Sequence, residues 1–332
     1  MDNLCHTLVG AALAEAGLRR KTPLATATLL VAANLPDVDS VLYWVNRADT
    51  AYGLRRGWTH GLPAMAVWPF VLTGLVLLWD RLVRRRRNPA AEPARPSALL
   101  WLSLIALLTH PFLDFVNTYG MRWLMPFRDV WSYGDTLFIV DPWIWLALGA
   151  GYYLSSRRRR RGAPHAERPA AWALGLVALY IAGMGAAGVA ARGVARAEIE
   201  RSGATVVRLM VGPLPATSFR RQVVADVGDR YVLGTLDWLR RPRFVPNPAS
   251  PVLKRAAQPG VTVAARSPSG AAFLHWARFP FFVVERSPGA TVFRMVDARY
   301  TLDPEASFGA LSVTLPQAIP SPGASANQEQ YP

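Results

Sequence analysis

Three mostly apolar runs of about 20 residues (58–79, 98–116 and 170–191) constrain this chain more than any other feature. Each is long enough to cross a hydrocarbon core of roughly 30 Å. A fourth run, 136–155, has similar length but carries Asp141 and Pro142. Two shorter stretches, 4–18 and 23–35, flank Arg19, Arg20 and Lys21. At about 1.5 Å per residue neither reaches across, so a helical hairpin packed against the bundle is expected.

Arginine follows the apolar runs. "RLVRRRR" (81–87) and "RRRRR" (157–161) each come directly after one, in a chain of 332 residues that is 52% hydrophobic with a net charge of +15. That mixture is unusual for a soluble enzyme and ordinary for spans joined by basic loops. The arginine runs therefore read as topology signals, and direct nucleic-acid binding is not expected. With all three basic clusters in the cytoplasm, residues 23–35 run outward, 58–79 inward, 98–116 outward, 136–155 inward and 170–191 outward. One cysteine, Cys5, excludes an intrachain disulfide and a cysteine metal cluster. The opening "MDNLCHTLVGAALAEAGLRRK" starts acidic and places its basic residues after the apolar stretch, which suggests a retained helix.

Beyond Arg192 the pattern changes. "ATVVRLMV", "RRQVVADV", "RYVLGTLDW", "AAFLHWARF", "FFVVER", "TVFRMVDARY" and "GALSVTL" read as strands between turn signals. The expected architecture is an α-helical multi-pass membrane bundle of four to five spans plus the short hairpin, followed by a small β-rich extracytoplasmic domain. The boundaries are 1–192 for the bundle, 203–318 for the β domain and 319–332 for a disordered tail.

Of five histidines, three fall within the first 110 residues beside carboxylates: His6 in "CHTLVG", His60 in "RGWTHG" and His110 in "LLTHPFLDFVNTYG". Asp37 and Asp39 follow an apolar helix that must end near Pro36. His110 and Asp114 are spaced i, i+4 and share one helix face, which Asn117 continues. The topology brings His6, Asp37, Asp39, His60, His110 and Asp114 to one membrane face. Imidazole with carboxylate suits zinc, manganese or non-haem iron, so a shared metal site is expected. Taken singly, each has a bland reading: an interfacial histidine (His6, His60), a helix cap (Asp37 or Asp39) or a structural hydrogen-bonded pair (His110 with Asp114).

"HTLVGAAL", "LLVAANLPDVD", "RGWTHG", "LLTHPFLDFVNTYG" and "DPW" (141–143) resemble the YdjM/YbcI-type membrane-bound, metal-dependent hydrolases, also described as LexA-binding and inner-membrane-associated. The resemblance covers roughly residues 1–190 and implies a bacterial inner-membrane location and a hydrolytic reaction class, with no substrate. A LexA-type contact would have to use the cytoplasmic basic loops. More distantly, the motif order is similar to the zinc-dependent phospholipase C and single-strand nuclease superfamily. That resemblance implies one metal on Asp39 (or Asp37), His60, His110 and Asp114. It implies a second on His6 with Asp114 bridging. The third site of that superfamily lacks its histidines here, with only Asp135 and Asp141, and less so Asp129, as substitutes. Its N-terminal tryptophan ligand is also missing, since the chain begins "MDN".

The expected chemistry is hydrolysis of a phosphate ester or lipid-linked substrate by a metal-activated water, with one or two ions, zinc first. Asp37 or Asp141 is the expected general base. Asn117, Asp135, Thr59, Arg56 and Arg122 are expected beside the metal or substrate, with Arg55, Arg56 and Arg122 suited to phosphate. The rivals are a structural metal with a β domain that binds a protein partner, and a metal-ion transporter. The apolar inner halves of the spans ("VLTGLVLLW") tell against transport.

Overall fold

The computed structural model describes residues 1–41, 52–241 and 243–316; the expected disordered tail lies outside them. Helix α1 (Asn3–Glu15) begins at Asp2, whose carboxylate accepts the Cys5 N–H. Helix α2 (Ala25–Asn34) packs tightly on it, because a Cβ at Gly10 would stand 2.8 Å from the Leu29 carbonyl oxygen. Pro36 cannot continue an α-helical ladder, and the chain tightens into a 3₁₀ turn over Leu35–Val41.

Helix α3 (Leu62–Arg87) passes through a π turn at Asp80–Arg84, and α4 spans Pro96–Phe115. Helix α5 (Pro142–Arg160) starts on the Asp141 side chain, and α6 (Arg168–Arg201) runs for 34 residues, about 51 Å. Among the described residues, α3, α4 and α6 are long and apolar enough to cross a membrane. The fourth expected run is helical only from Pro142 and its helix continues into the arginines at 157–160, so among the described residues three helices are long and apolar enough to span where four to five spans were expected.

Side-chain contacts give the bundle a polarity. Arg159 pairs with Glu15, Arg20 with Glu167 and Arg84 with Asp80, while the Arg95 N–H donates to Thr22. All three basic clusters thus gather at one end. His6, the 3₁₀ turn, the start of α3 and the end of α4 meet at the other.

The last turns of α6 leave the bundle and cover one face of an antiparallel sheet, with Ala191, Ala195 and Ile199 against Val211, Val223 and Leu236. That sheet has the order β1 (Arg208–Leu214), β2 (Thr217–Asp226), β3 (Arg230–Asp237), β4 (Phe244–Pro246), with β5 (Val252–Leu253) also on β3. A second antiparallel sheet runs β6 (Pro280–Ser287), β7 (Ala290–Asp297), β8 (Ala310–Pro316), and packs through Phe279, Phe281 and Val296 on Met210, Val224 and Leu233. Short helices α7 (Val261–Arg266) and α8 (Pro268–Trp276) connect the sheets. "AAFLHWARF", expected as a strand, lies largely in α8. Ser267 caps it by accepting the Gly270 N–H, Pro268 opens it, and Phe273 and Trp276 at i, i+3 share its buried face.

Candidate metal centre

The 3₁₀ turn separates the two aspartates. At three residues per turn, positions i and i+2 point about 120° apart, and Asp37 and Asp39 meet different nitrogens of the His60 ring. Asp37 Oδ1 lies 3.6 Å from His60 Nε2 and 3.8 Å from His110 Nε2. Asp114 Oδ2 lies 3.4 Å from His60 Nε2 and 3.6 Å from His110 Nε2, and the two Nε2 atoms are 3.2 Å apart. Asp37, His60, His110 and Asp114 are all buried and offer ligand atoms within 4.8 Å of one another.

The outer ring nitrogens are committed elsewhere. His110 Nδ1 is 2.7 Å from the Ala33 carbonyl oxygen, which only accepts, so the proton belongs on Nδ1 and Nε2 presents a lone pair. That carbonyl is available because it lies in the last turn of α2. His60 Nδ1 faces Asp39 Oδ2 at 3.3 Å and Thr59 Oγ1 at 2.8 Å. Asp39 Oδ2 is itself held by the Arg56 N–H and the Thr59 hydroxyl, each at 2.9 Å. Asp39, expected as a ligand, therefore stands one step back and orients His60.

Two imidazole lone pairs and two carboxylate oxygens facing one another call for positive charge between them. Burial alone would lower the pKa of His60, but hydrogen bonding to Asp114, Asp37 and Asp39 raises it to about 10. Burial likewise pushes Asp37 and Asp39 up, yet their contacts with His60 hold both below the usual carboxylate range. A proton on His60 is one answer to this field and a metal ion is the other. The size fits an ion: the five separations given lie between 3.2 and 3.8 Å. A tetrahedral site with bonds of about 2.0–2.1 Å has edges of about 3.4 Å.

His6 stacks on His110, with ring centroids 3.8 Å apart, and its Nε2 lies 3.4 Å from Asp114 Oδ1, on the far side of that carboxylate. A second ion bridged by Asp114 would need this side. Oδ1 already receives the Met1 backbone nitrogen and Arg56 Nη2 at 3.1 Å, while Arg56 Nε lies 3.0 Å from Oδ2. The guanidinium supplies positive charge there, while neither buried ring nitrogen of His6 has a hydrogen-bond partner.

The remaining sequence-derived residues divide clearly. Asn117 accepts from Arg56 Nη1 at 3.3 Å and Thr59 supports Asp39, so both adjoin the cluster. Arg55 lies 3.3 Å from Asp37 Oδ1 and 3.5 Å from Asp39 Oδ1. Arg122 instead donates to the Arg55 carbonyl and to Asp129 and lies over Trp131. Asp141, the other expected base, does not reach the cluster. It caps α5 through the Trp143 and Ile144 N–H groups and accepts the Tyr180 hydroxyl. Asp135 pairs with Arg278 of the β domain at 2.7 Å and is likewise elsewhere.

Residues that no local pattern indicated support the centre from the β domain. The Arg56 guanidinium lies 4.5 Å over Tyr119, whose ring packs 5.1 Å from Trp276. The adjoining Thr118 carbonyl accepts from Arg299 at 2.9 Å and Tyr300 at 3.1 Å. The β domain thus clamps the loop after α4, and through Arg56 that clamp touches Asp114.

A family model described as "YdjM inner membrane protein" matches residues 1–192, which hold every residue of the quartet. The uncharacterized protein YfhP of Bacillus subtilis (strain 168) is 28% identical over 159 residues. The match covers 44% of each chain, so this chain spans less than half the length of that relative. No solved structure matches the chain.

Proposed function

The chain belongs to the YdjM inner membrane protein family, and on that premise we propose that it is a membrane-embedded, metal-dependent hydrolase acting on a phosphate ester or lipid-linked substrate. The observation that carries this reading is the convergence of four acceptor atoms, from Asp37, His60, His110 and Asp114, on one buried point. A divalent ion there would act as a Lewis acid and bring the pKa of a water towards about 7. Asp39 and the Ala33 carbonyl hold the two imidazoles in the tautomers that present Nε2. Arg55, beside Asp37, is placed to pair with an anionic substrate group. We place the site at the outer face of the inner membrane, with the β domain periplasmic, on the agreement of the three basic clusters at the opposite end of the bundle.

One observation favours a second reading. Four protein ligands fill a tetrahedral zinc ion, which is the pattern of structural sites, whereas a six-coordinate ion would keep two positions for water and substrate. Metal identity therefore separates a hydrolase from a structural metal site. The test is metal analysis of detergent-purified wild type beside His110→Ala and Asp114→Ala, followed by phosphodiester and lipid hydrolysis assays with zinc and with manganese. Stoichiometric metal in wild type alone, with turnover, supports the hydrolase. Equal metal in wild type and variants refutes the site; bound metal without turnover under either ion supports the structural reading.

A further inference from the structure

His60, His110 and Asp114 have no solvent exposure, so substrate must meet the quartet through Asp37, which retains 6%. Asp37 lines a cleft of about 470 Å³ between the first turns of α1 and the end of α2. The walls of this cleft are divided. Asn3, Thr7, Asn34 and Asp37 are polar; Leu30, Val31, Leu35 and Val38 are apolar, with Val31 and Val38 half-exposed. Asn34 bridges the two helices by donating to Thr7 Oγ1 at 3.1 Å, and so shapes the polar rim.

On the α2 side the deep end of the cleft is apolar, whereas its outer end mixes Asn34 and Asp37 with Leu35 and Val38. Helix α2 runs from the basic end towards the quartet, so Leu30 and Val31 lie about 5–6 Å deeper than Asn34 and Leu35. A fully water-soluble phosphoester would leave that apolar half unused. An amphiphile with its ester level with Asp37 and its chain along Leu30 and Val31 would use both halves.

We propose that this cleft seats an acyl chain of the substrate, making the substrate a bilayer amphiphile whose ester group reaches the centre past Asp37. The proposal rests on the hydrolase reading above, and its test separates the two. Wild-type protein in nanodiscs containing a phospholipid with a photoactivatable group on its acyl chain is irradiated, and labelled peptides are quantified. Labelling should concentrate on residues 25–41. Val31→Trp, which fills the apolar half from a lipid-exposed position, should reduce that labelling at least fivefold. Val67→Trp, at a similarly exposed position on α3 and outside the cleft, should leave it unchanged. Val38→Trp serves if Val31→Trp fails to purify as a single species. Labelling spread evenly over all lipid-facing helices, or indifferent to both cleft variants, would overturn the proposal. Metal content is measured on the same samples: absent metal with concentrated labelling removes the hydrolase reading, and bound metal with even labelling removes the cleft alone.

Discussion

Asp37→Asn and Asp39→Asn should differ sharply in metal binding, although the residues are two positions apart. Asp39 Oδ2 gathers three groups: the Arg56 N–H at 2.9 Å, the Thr59 hydroxyl at 2.9 Å and His60 Nδ1 at 3.3 Å. An asparagine can still accept from Arg56 and Thr59 through its amide oxygen. It loses the charge that makes the His60 contact strong, and its NH₂ group, if turned towards Nδ1, would drive the ring proton onto Nε2, where an ion must bind. Loss of such an orienting partner costs about 10–100-fold in metal affinity, or about 1.4–2.7 kcal/mol. Stoichiometry at saturation should match that of the wild type. Asp37→Asn removes a charged oxygen of the quartet itself and should cost more than about 100-fold. The assay is competition against a fluorescent zinc chelator in detergent at fixed pH, with metal content measured after gel filtration. If Asp39→Asn is the more damaging, or Asp37→Asn binds like wild type, the assignment of ligand and orienting residue is refuted.

Three further outcomes follow from the same geometry. His60, raised to about 10 when folded against about 6.5 unfolded, stabilises the metal-free protein fully below pH 6.5, and that contribution is lost as pH rises towards 10. Melting temperature without metal should fall across that window. Apparent metal affinity should rise up to about tenfold per pH unit there, since one proton is displaced; a flat affinity profile would contradict it. Gly10→Ala would press a methyl group against the Leu29 carbonyl and Ala33, costing about 1–3 kcal/mol, read as a lower melting temperature; wild-type stability would show that α1 and α2 are looser than described. Trp276→Ala empties a fully buried aromatic site at about 3–5 kcal/mol, measured as earlier proteolysis of the β domain. Metal affinity should fall with it, because Tyr119 and Arg56 lose their backing. A loosened β domain with unchanged metal affinity would show that the clamp does not reach the centre.

Much of the fold and part of the site are local properties of the chain. Apolar runs matched to bilayer thickness give α3, α4 and α6, and alternating runs after Arg192 give the strands. Pro36 ends α2 because it lacks an N–H, and His110 with Asp114 share a face because four residues is close to one α-helical turn. The sequence by itself therefore determined most of the elements and a wider set of candidate ligands than the buried quartet holds. Tertiary structure decided their roles. Asp37 joins the buried quartet and Asp39 stands behind His60 because the turn is 3₁₀, and because Arg56 and Thr59 claim Asp39. Asp141 became a helix cap, and the Ala33 carbonyl, which carries no side-chain signature, orients His110. Arg299 and Tyr300 hold the Thr118 carbonyl across up to 182 residues of sequence, beside the Tyr119 that packs on Trp276. Such contacts depend on where whole helices and sheets pack, and no short window of residues encodes that.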